Sequence, residues 1–311
     1  MKIRNRFQLI EAIESLIKEK GPSVDLNHLD VSDISYFDEL FEGDIRGSFV
    51  GNIARWDVSR AESFKGMFGG SKFNGDLSQW KTGRVRDMQK MFYGSWFNQD
   101  ISGWDVSKVV GFETMFRGSV FDQDLSAWDV SSARHMDEMF ALSRFTNKGK
   151  SLESWKPKEL MTAQRMFWRS RFNQRLSAEL FLHLEKAWEM FQESEYSQSL
   201  SHAQVPYLRQ AEFMFAGSKI KDLPEGWNID YIKEHPEHFE GLFYATPYLL
   251  ESDFEAVRIK FSEEKRPAVW SEDWFDQKVL PEWIAQLTQK HLNNRLSLSE
   301  GPTEKSNKIR L

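Results

Sequence analysis

Apolar and polar positions recur along this chain with a fixed period. Phe49, Phe73, Phe97, Phe121 and Phe145 stand 24 residues apart. Seven residues after each of the first four comes Trp56, Trp80, Trp104 or Trp128, and twelve after each Trp comes Phe68, Phe92, Phe116 or Phe140. The shared template reads F-N-Q-D-(I/L)-S-x-W-D-V-S-x4-(M/F)-x2-M-F-x-G-S-x. In "VRDMQKMF", Val85, Met88 and Phe92 fall at i, i+3 and i+7, which predicts a short helix. Gly70, Gly94, Gly118 and Gly217 follow the template Phe by two, where a left-handed helix C-cap would sit. "W-D-V" alternates apolar, polar, apolar and predicts a very short strand.

A unit this small cannot bury its aromatic face alone, so neighbouring copies must stack. Beyond Phe145 the template decays in register. Trp155 and Phe167 follow a three-residue insertion; Phe172 with Phe191 and Tyr196 with Phe215 keep the spacing, with Glu179 and Ala203 where Trp is expected. Degenerate copies at Leu29/Phe41 and at Ile220/Trp227/Phe243 bring the number to about nine. The expected fold is α/β: a leucine-rich-repeat-like solenoid of about nine 24-residue strand-helix repeats with helical N-terminal and C-terminal caps.

The expected organisation is a capping helix in 1–23, the repeats in 24–247, a helical cap in 248–287 and a polar, disordered tail in 288–311. "NRFQLIEAIESLIKEK" places Phe7, Ile10, Ile13 and Ile17 at helical spacing before "GP". "DFEAVRIKF" and "PEWIAQL" read as helices, with Trp270, Trp274 and Trp283 as packing anchors. Among 311 residues, 25 Phe and 12 Trp point to a core that is aromatic rather than aliphatic. Asn74, Asn98, Asp122 and Asn173 share one template slot, and Asp57, Asp105 and Asp129 another. Such side chains bond nearby backbone in turns, so the columns read as ladders satisfying turn amides. On that reading "FNQD" is scaffold, and the Asp76, Asp100, Asp124 column is not a calcium or glycosidase pair.

"FNQDISGWDVSKVVGFETMFRGS" (97–119) and "FDQDLSAWDVSSARHMDEMFALS" (121–143) resemble the BspA-like leucine-rich repeat family, in particular the repeat abundant in mycoplasma and other bacterial surface proteins. The resemblance is specific over 49–144 and recognisable over 24–247. It implies a bacterial or phage origin and a fold related to leucine-rich repeats, and it brings no catalytic residues. Many such proteins are exported or anchored; the first residues here are charged throughout and lack the apolar run of a signal peptide, so the chain is expected to be cytoplasmic.

Charge and chemistry narrow the function classes. A net charge of −6 argues against general nucleic-acid binding, and the absence of cysteine removes disulfides, zinc thiolates and thiol nucleophiles. No stretch reaches a membrane span. No nucleotide-binding or nucleophile motif occurs, and "GGSKFNG" falls on a repeat junction, so no enzyme and no cofactor are expected. His235 and His238 form an H-x-x-H, but without the H-E-x-x-H order and with a proline that predicts a solvated loop; no metal is expected there.

One cluster departs from the template at slots the template leaves free: "MFWRSRFNQR", with Arg165, Trp168, Arg169, Arg171 and Arg175. Trp168 aligns with Arg117, and Arg171 with Trp96 and Arg144. Trp and Arg are the types enriched at binding hot spots. Either these arginines solvate a face and pair with neighbouring acids, or Trp96, Arg117, Arg144, Arg165, Trp168, Arg169 and Arg171 contact a protein with an acidic surface. The expected function is a non-catalytic scaffold for protein–protein interaction, an immunity or inhibitor protein for a toxin or defence enzyme, the alternative being an exported adhesin or host-facing effector.

Overall fold

The computed structural model describes residues 1–220 and 222–242, together with Ala285 and Gln289. The expected cap in 248–287 and tail in 288–311 lie outside them, apart from those last two residues.

The 24-residue period is the step of a stack of rungs, but the rungs are not strand-helix units. Among the described residues there is no named strand, and inside the repeats the α-helices are the single turn α2 (Glu179–Leu182) and, in the last degenerate copy, the six-residue Ile229–Glu234. Rungs touch through isolated parallel bridges, one residue wide, running Tyr36, Ser63, Asp87, Gly111, His135, Thr162, Lys186, Gln210. This contradicts the leucine-rich-repeat-like α/β solenoid with helical caps. The bridge column even enters the segment expected to be helical.

The hydrogen bonds explain why. From Met88 to Ser95 the amides alternate in direction. Those of Met91, Tyr93 and Ser95 close turns onto Met88, Lys90 and Phe92 at 3.1–3.2 Å, while those of Lys90, Phe92 and Gly94 reach Glu113, Met115 and Arg117 of the next rung at 2.8–2.9 Å. Lys90 and Gly94 take φ of 57° and 58°, a left-handed residue every fourth position, which no helix can pass through. The glycines do occupy left-handed backbone, but they sit inside turns rather than ending helices. "W-D-V" fails as a strand for a similar reason. Asp105 Oδ1 accepts from the Ser107 amide at 3.1 Å and Val109 N donates to Val106 O at 2.9 Å, so the chain turns at once.

The second left-handed slot holds Gly70, Gly94, Gly118 and Gly217, but Leu142 (φ 55°) in the 121–143 copy and Arg169 and Glu193 in the decayed copies. A non-glycine residue there costs about 1–2 kcal/mol, partly offset by the lower unfolded-state entropy it brings. Leu142 is exposed. Leu142→Gly should therefore raise stability by about 0.5–1 kcal/mol; a lower urea midpoint for the variant would contradict the turn assignment.

Stacked copies bring like residues together. Phe68, Phe92, Phe116, Phe140, Phe167, Phe191 and Phe215 follow one another at 5.6–5.8 Å with nearly parallel planes. Phe73, Phe97, Phe121 and Phe145 form a second column at 6.2–6.3 Å. The columns interlock: Phe92 lies 4.1 Å from Phe97, and Phe140 4.0 Å from Phe145. Each fully buried ring contributes roughly 1.5–3 kcal/mol, and each aligned pair about 0.5–1.5 more.

The third column must be tryptophan because its N–H has work that Phe could not do. The indoles of Trp56, Trp80, Trp104, Trp128 and Trp155 donate to the carbonyls of Leu26, Ile53, Leu77, Ile101 and Leu125, one rung back, at 2.9–3.3 Å. Where Glu179 replaces Trp, α2 forms and buries Leu180 and Phe181 instead. Asn74, Asn98 and Asp122 each accept, at 2.7–2.8 Å, the amide of their counterpart in the next copy, and Gln99 and Gln123 add side-chain amides at 3.2 and 3.0 Å. Asp76, Asp100 and Asp124 each accept the amide of the serine two residues on.

At the N-terminus α1 (Arg6–Lys20) is capped by Asn5, whose side chain accepts from Gln8 N at 3.0 Å, and ends at Gly21. Its buried stripe is Leu9, Ile13 and Ile17. Phe7, expected on that stripe, is 75% exposed, and Ile10 is only partly buried.

Candidate functional site

The seven residues proposed from sequence as contacts all fall on one edge of the stack, on or beside the turns that follow the template Phe. They divide among four template slots with different environments. The outermost is the junction slot, four residues after that Phe. Lys72, Trp96, Val120, Arg144 and Arg171 occupy it, and all five are exposed, Trp96 by 64%. The backbone continues from rung to rung beneath them: Trp96, Val120 and Arg144 N donate to Ser71, Ser95 and Ser119 O at 3.1, 3.4 and 3.5 Å. A buried serine before this slot and a buried Phe after it leave the side chain no choice but to point outward. Arg144 and Arg171 have no ion pair among the described residues.

Arg117 and Trp168 hold the slot just after the Phe, and both are half-buried. Arg117 pairs with Glu138 of the next rung at 2.6 Å and lies 5.8 Å over the ring of Tyr93 in the preceding one. Trp168 is flanked by two guanidiniums, Arg165 at 5.4 Å and Arg169 at 5.0 Å from its ring. Those arginines stand in the two left-handed slots, with φ of 53° and 50°. Each is held by the acid in the same slot of the next copy. Arg165 Nε meets Glu189 at 2.6 Å and Arg169 Nε meets Glu193 at 2.8 Å, with a second contact at 3.1 and 3.2 Å. Arg165 also lies 4.2 Å from the ring of Trp188.

So the structure separates the cluster. Arg165, Arg169 and Arg117 have their charges met within the chain, whereas Trp96, Arg144 and Arg171 present themselves to solvent. The Arg165–Glu189 and Arg169–Glu193 pairs had a signal in the sequence, opposite charges 24 residues apart in one template slot, whereas Arg117 and Glu138 stand 21 apart in different slots.

Sequence reasoning missed two features. At the template's free positions after Trp, Arg86, Lys108, Arg134 and Lys158 line a hollow of about 360 Å³ with Ser131 and Ser132, and among the described residues only Arg134 of these is in an ion pair, with Glu159 at 2.5 Å. These four cations come from three different slots, so no single column announces them. The other is Glu113. Burial, with Asp137 and Asp87 nearby, pushes its carboxyl up to about 7, and its Oε2 is covered without a hydrogen-bond partner. In contrast, the hydroxyl and amide of Ser107 hold Asp105 below the usual carboxylate range, as those of Ser59 do for Asp57.

A family model described as "Mycoplasma protein of unknown function, DUF285" matches three overlapping stretches, residues 13–120, 95–203 and 152–245. The chain belongs to this family. The matched stretches run from within α1 through the turn that follows α3 (Ile229–Glu234). No curated protein matches, and no solved structure matches. Among the described residues, no helix is long and apolar enough to cross a membrane.

Proposed function

We propose that this chain is a non-catalytic scaffold that binds a protein with an acidic surface along its junction column. The observation that supports this is the uninterrupted exposed line Lys72, Trp96, Val120, Arg144, Arg171, in which a large indole stands in solvent beside cations that have no ion pair among the described residues. A stack held by aromatic columns and backbone bonds is stiff, and a stiff surface loses little ordering entropy on binding. A relation to the BspA-like repeats belongs to the same reading, supported by the shared template. Its more specific form, an inhibitor wrapping a toxin or defence enzyme, is supported by the decay of the template on one stretch of the surface.

The test uses the exposed column alone, because Trp168 and Arg169 are tied into the fold. Partners captured on the tagged chain from cells of its source organism and from their medium should be lost at least tenfold by the triple variant Trp96→Ala, Arg144→Ala, Arg171→Ala, with its melting curve unchanged. Capture undiminished by that variant rejects this surface. The captured protein's own activity, with and without the chain, tests inhibition.

A further inference from the structure

The last described rung carries a group that the repeat does not explain. Here the chain departs from the template, forming α3 and then a 3-10 turn, Pro236–Phe239. The turn is anchored on both sides. Ile232 and Phe239 are buried, Phe239 packing edge-on to Trp227 at 6.2 Å. Backbone bonds tie it to the preceding rung, Ala211 N to His238 O and Phe213 N to Glu240 O, both at 2.9 Å. Pro236 fixes the first residue of the turn.

On this anchored turn the two histidines of the H-x-x-H, set aside from sequence as a solvated loop, converge with Glu237. His235 Nδ1 lies 3.6 Å from Glu237 Oε1, and His238 Nε2 lies 3.9 Å from the same oxygen. One nitrogen from each histidine and one Glu237 oxygen all fall within 4.8 Å of one another. Ligands about 2.0–2.1 Å from a tetrahedral zinc ion are spaced roughly 3.3–3.4 Å apart, so modest side-chain rotation closes the set around one ion.

The surroundings also suit a cation. Tyr231 Oη is 3.0 Å from His238 Nδ1. When Nδ1–H donates to that oxygen, Nε2 is left with the lone pair that a metal needs, and the ring is held toward Glu237. The Tyr231 ring also packs against His235 at 4.6 Å, restraining the second ligand. Two neutral imidazoles and one carboxylate give the set a single negative charge, and Glu212 faces His238 from the neighbouring rung.

We infer that His235, Glu237 and His238 form a binding site for an imidazole-preferring divalent transition-metal ion such as Zn2+, with Tyr231 as a positioning residue. Three ligands leave a fourth position for water or for a donor from a binding partner. Nitrogen-rich ligation excludes Mg2+ and Ca2+, which require oxygen.

The test is calorimetric titration of the chelator-treated full chain with Zn2+, alongside melting curves. One equivalent should bind saturably, raise the melting temperature reversibly to EDTA, and survive excess Mg2+. His235→Ala and His238→Ala should each weaken binding at least tenfold, and Tyr231→Phe about tenfold with unchanged stoichiometry. Absence of saturable binding overturns the site, as does a His235→Ala, His238→Ala double variant that binds like the wild type, since another of the seven histidines would then be responsible. If an alanine variant melts early without metal, imidazole proton shifts in the wild-type chain decide: movement confined to His235 and His238 supports the site, and movement elsewhere rejects it.

Discussion

Trp104→Ala is expected to cost about 3–5 kcal/mol, a large part of the roughly 5–15 kcal/mol that holds a typical domain folded. The indole is 3% exposed and lies in the middle of the most regular copies. It stacks on Trp80 at 6.4 Å and 5°, and its ring is 6.3 Å from Phe92 and 6.5 Å from Phe64. Removing it opens a cavity between rungs that are each fixed by their own hydrogen bonds and so cannot collapse to fill it. It also removes the indole N–H that the Leu77 carbonyl accepts at 3.0 Å, leaving that carbonyl only the Trp80 amide at 3.1 Å. Trp104→Phe separates the two losses. Most of the volume stays, the hydrogen bond goes, and a cost of about 1–2 kcal/mol should remain. Urea unfolding followed by fluorescence and by circular dichroism measures both. A Trp104→Ala midpoint equal to wild type would show that the tryptophan column is not the core. If instead the two probes part company, the stack has split at the damaged rung, as quasi-one-dimensional arrays do.

The tryptophan and phenylalanine columns were legible in the sequence because register survives any local geometry. Residues 24 apart meet whether the rung between them is strand, helix or turn. The Asn74–Asn98–Asp122 ladder was legible too, since short amides and carboxylates in one slot have little to bond except neighbouring backbone. What the period could not convey was the shape of one rung. Val85, Met88 and Phe92 recur as a helix face would, yet turns that place an inward residue every third or fourth position print the same pattern. The distinguishing signal was available at Lys90 and its counterparts, but it is weak: a left-handed slot shows in sequence only when glycine fills it, as at Gly94. α1 misled differently. Phe7 fits the helical spacing, but Leu9 sits i−4 from Ile13 and takes the buried stripe. For the candidate surface, the outward junction slot followed from the template, whereas the charge on Arg165 and Arg169 looked available until their partners one rung on, Glu189 and Glu193, were placed.

A second large effect should appear as a pH dependence. Glu113 is half-buried between rungs, and burial lifts its carboxyl from the usual 4.5 to about 7. A folded-state value above the unfolded one means that the fold binds this proton more tightly. The contribution of Glu113 is therefore most favourable below about pH 4.5, is lost as pH rises through the window from 4.5 to 7, and stays lost above it. The shift sets an upper bound, and solvent reaching the half-exposed side chain reduces it to about 1–2 kcal/mol between pH 5 and 8. Asp105 and Asp57 act in the opposite sense. Their values are depressed by Ser107 and Ser59, so the stability they add is present above the ordinary carboxylate range and fades only in acid, outside the Glu113 window. Glu113→Gln isolates the group. It keeps the shape, removes the charge and should match the wild type at pH 5 while exceeding it by about 1–2 kcal/mol at pH 8. Parallel stability curves for the two proteins across that range would mean that water or a cation already compensates Glu113, with Lys65, whose charge opposes the upward shift, a candidate. A gap that opens with pH would identify a carboxylate that the aromatic stack carries at a cost, at a position where Asp137 and Asp87 offer it repulsion and its Oε2 has no hydrogen-bond partner among the described residues.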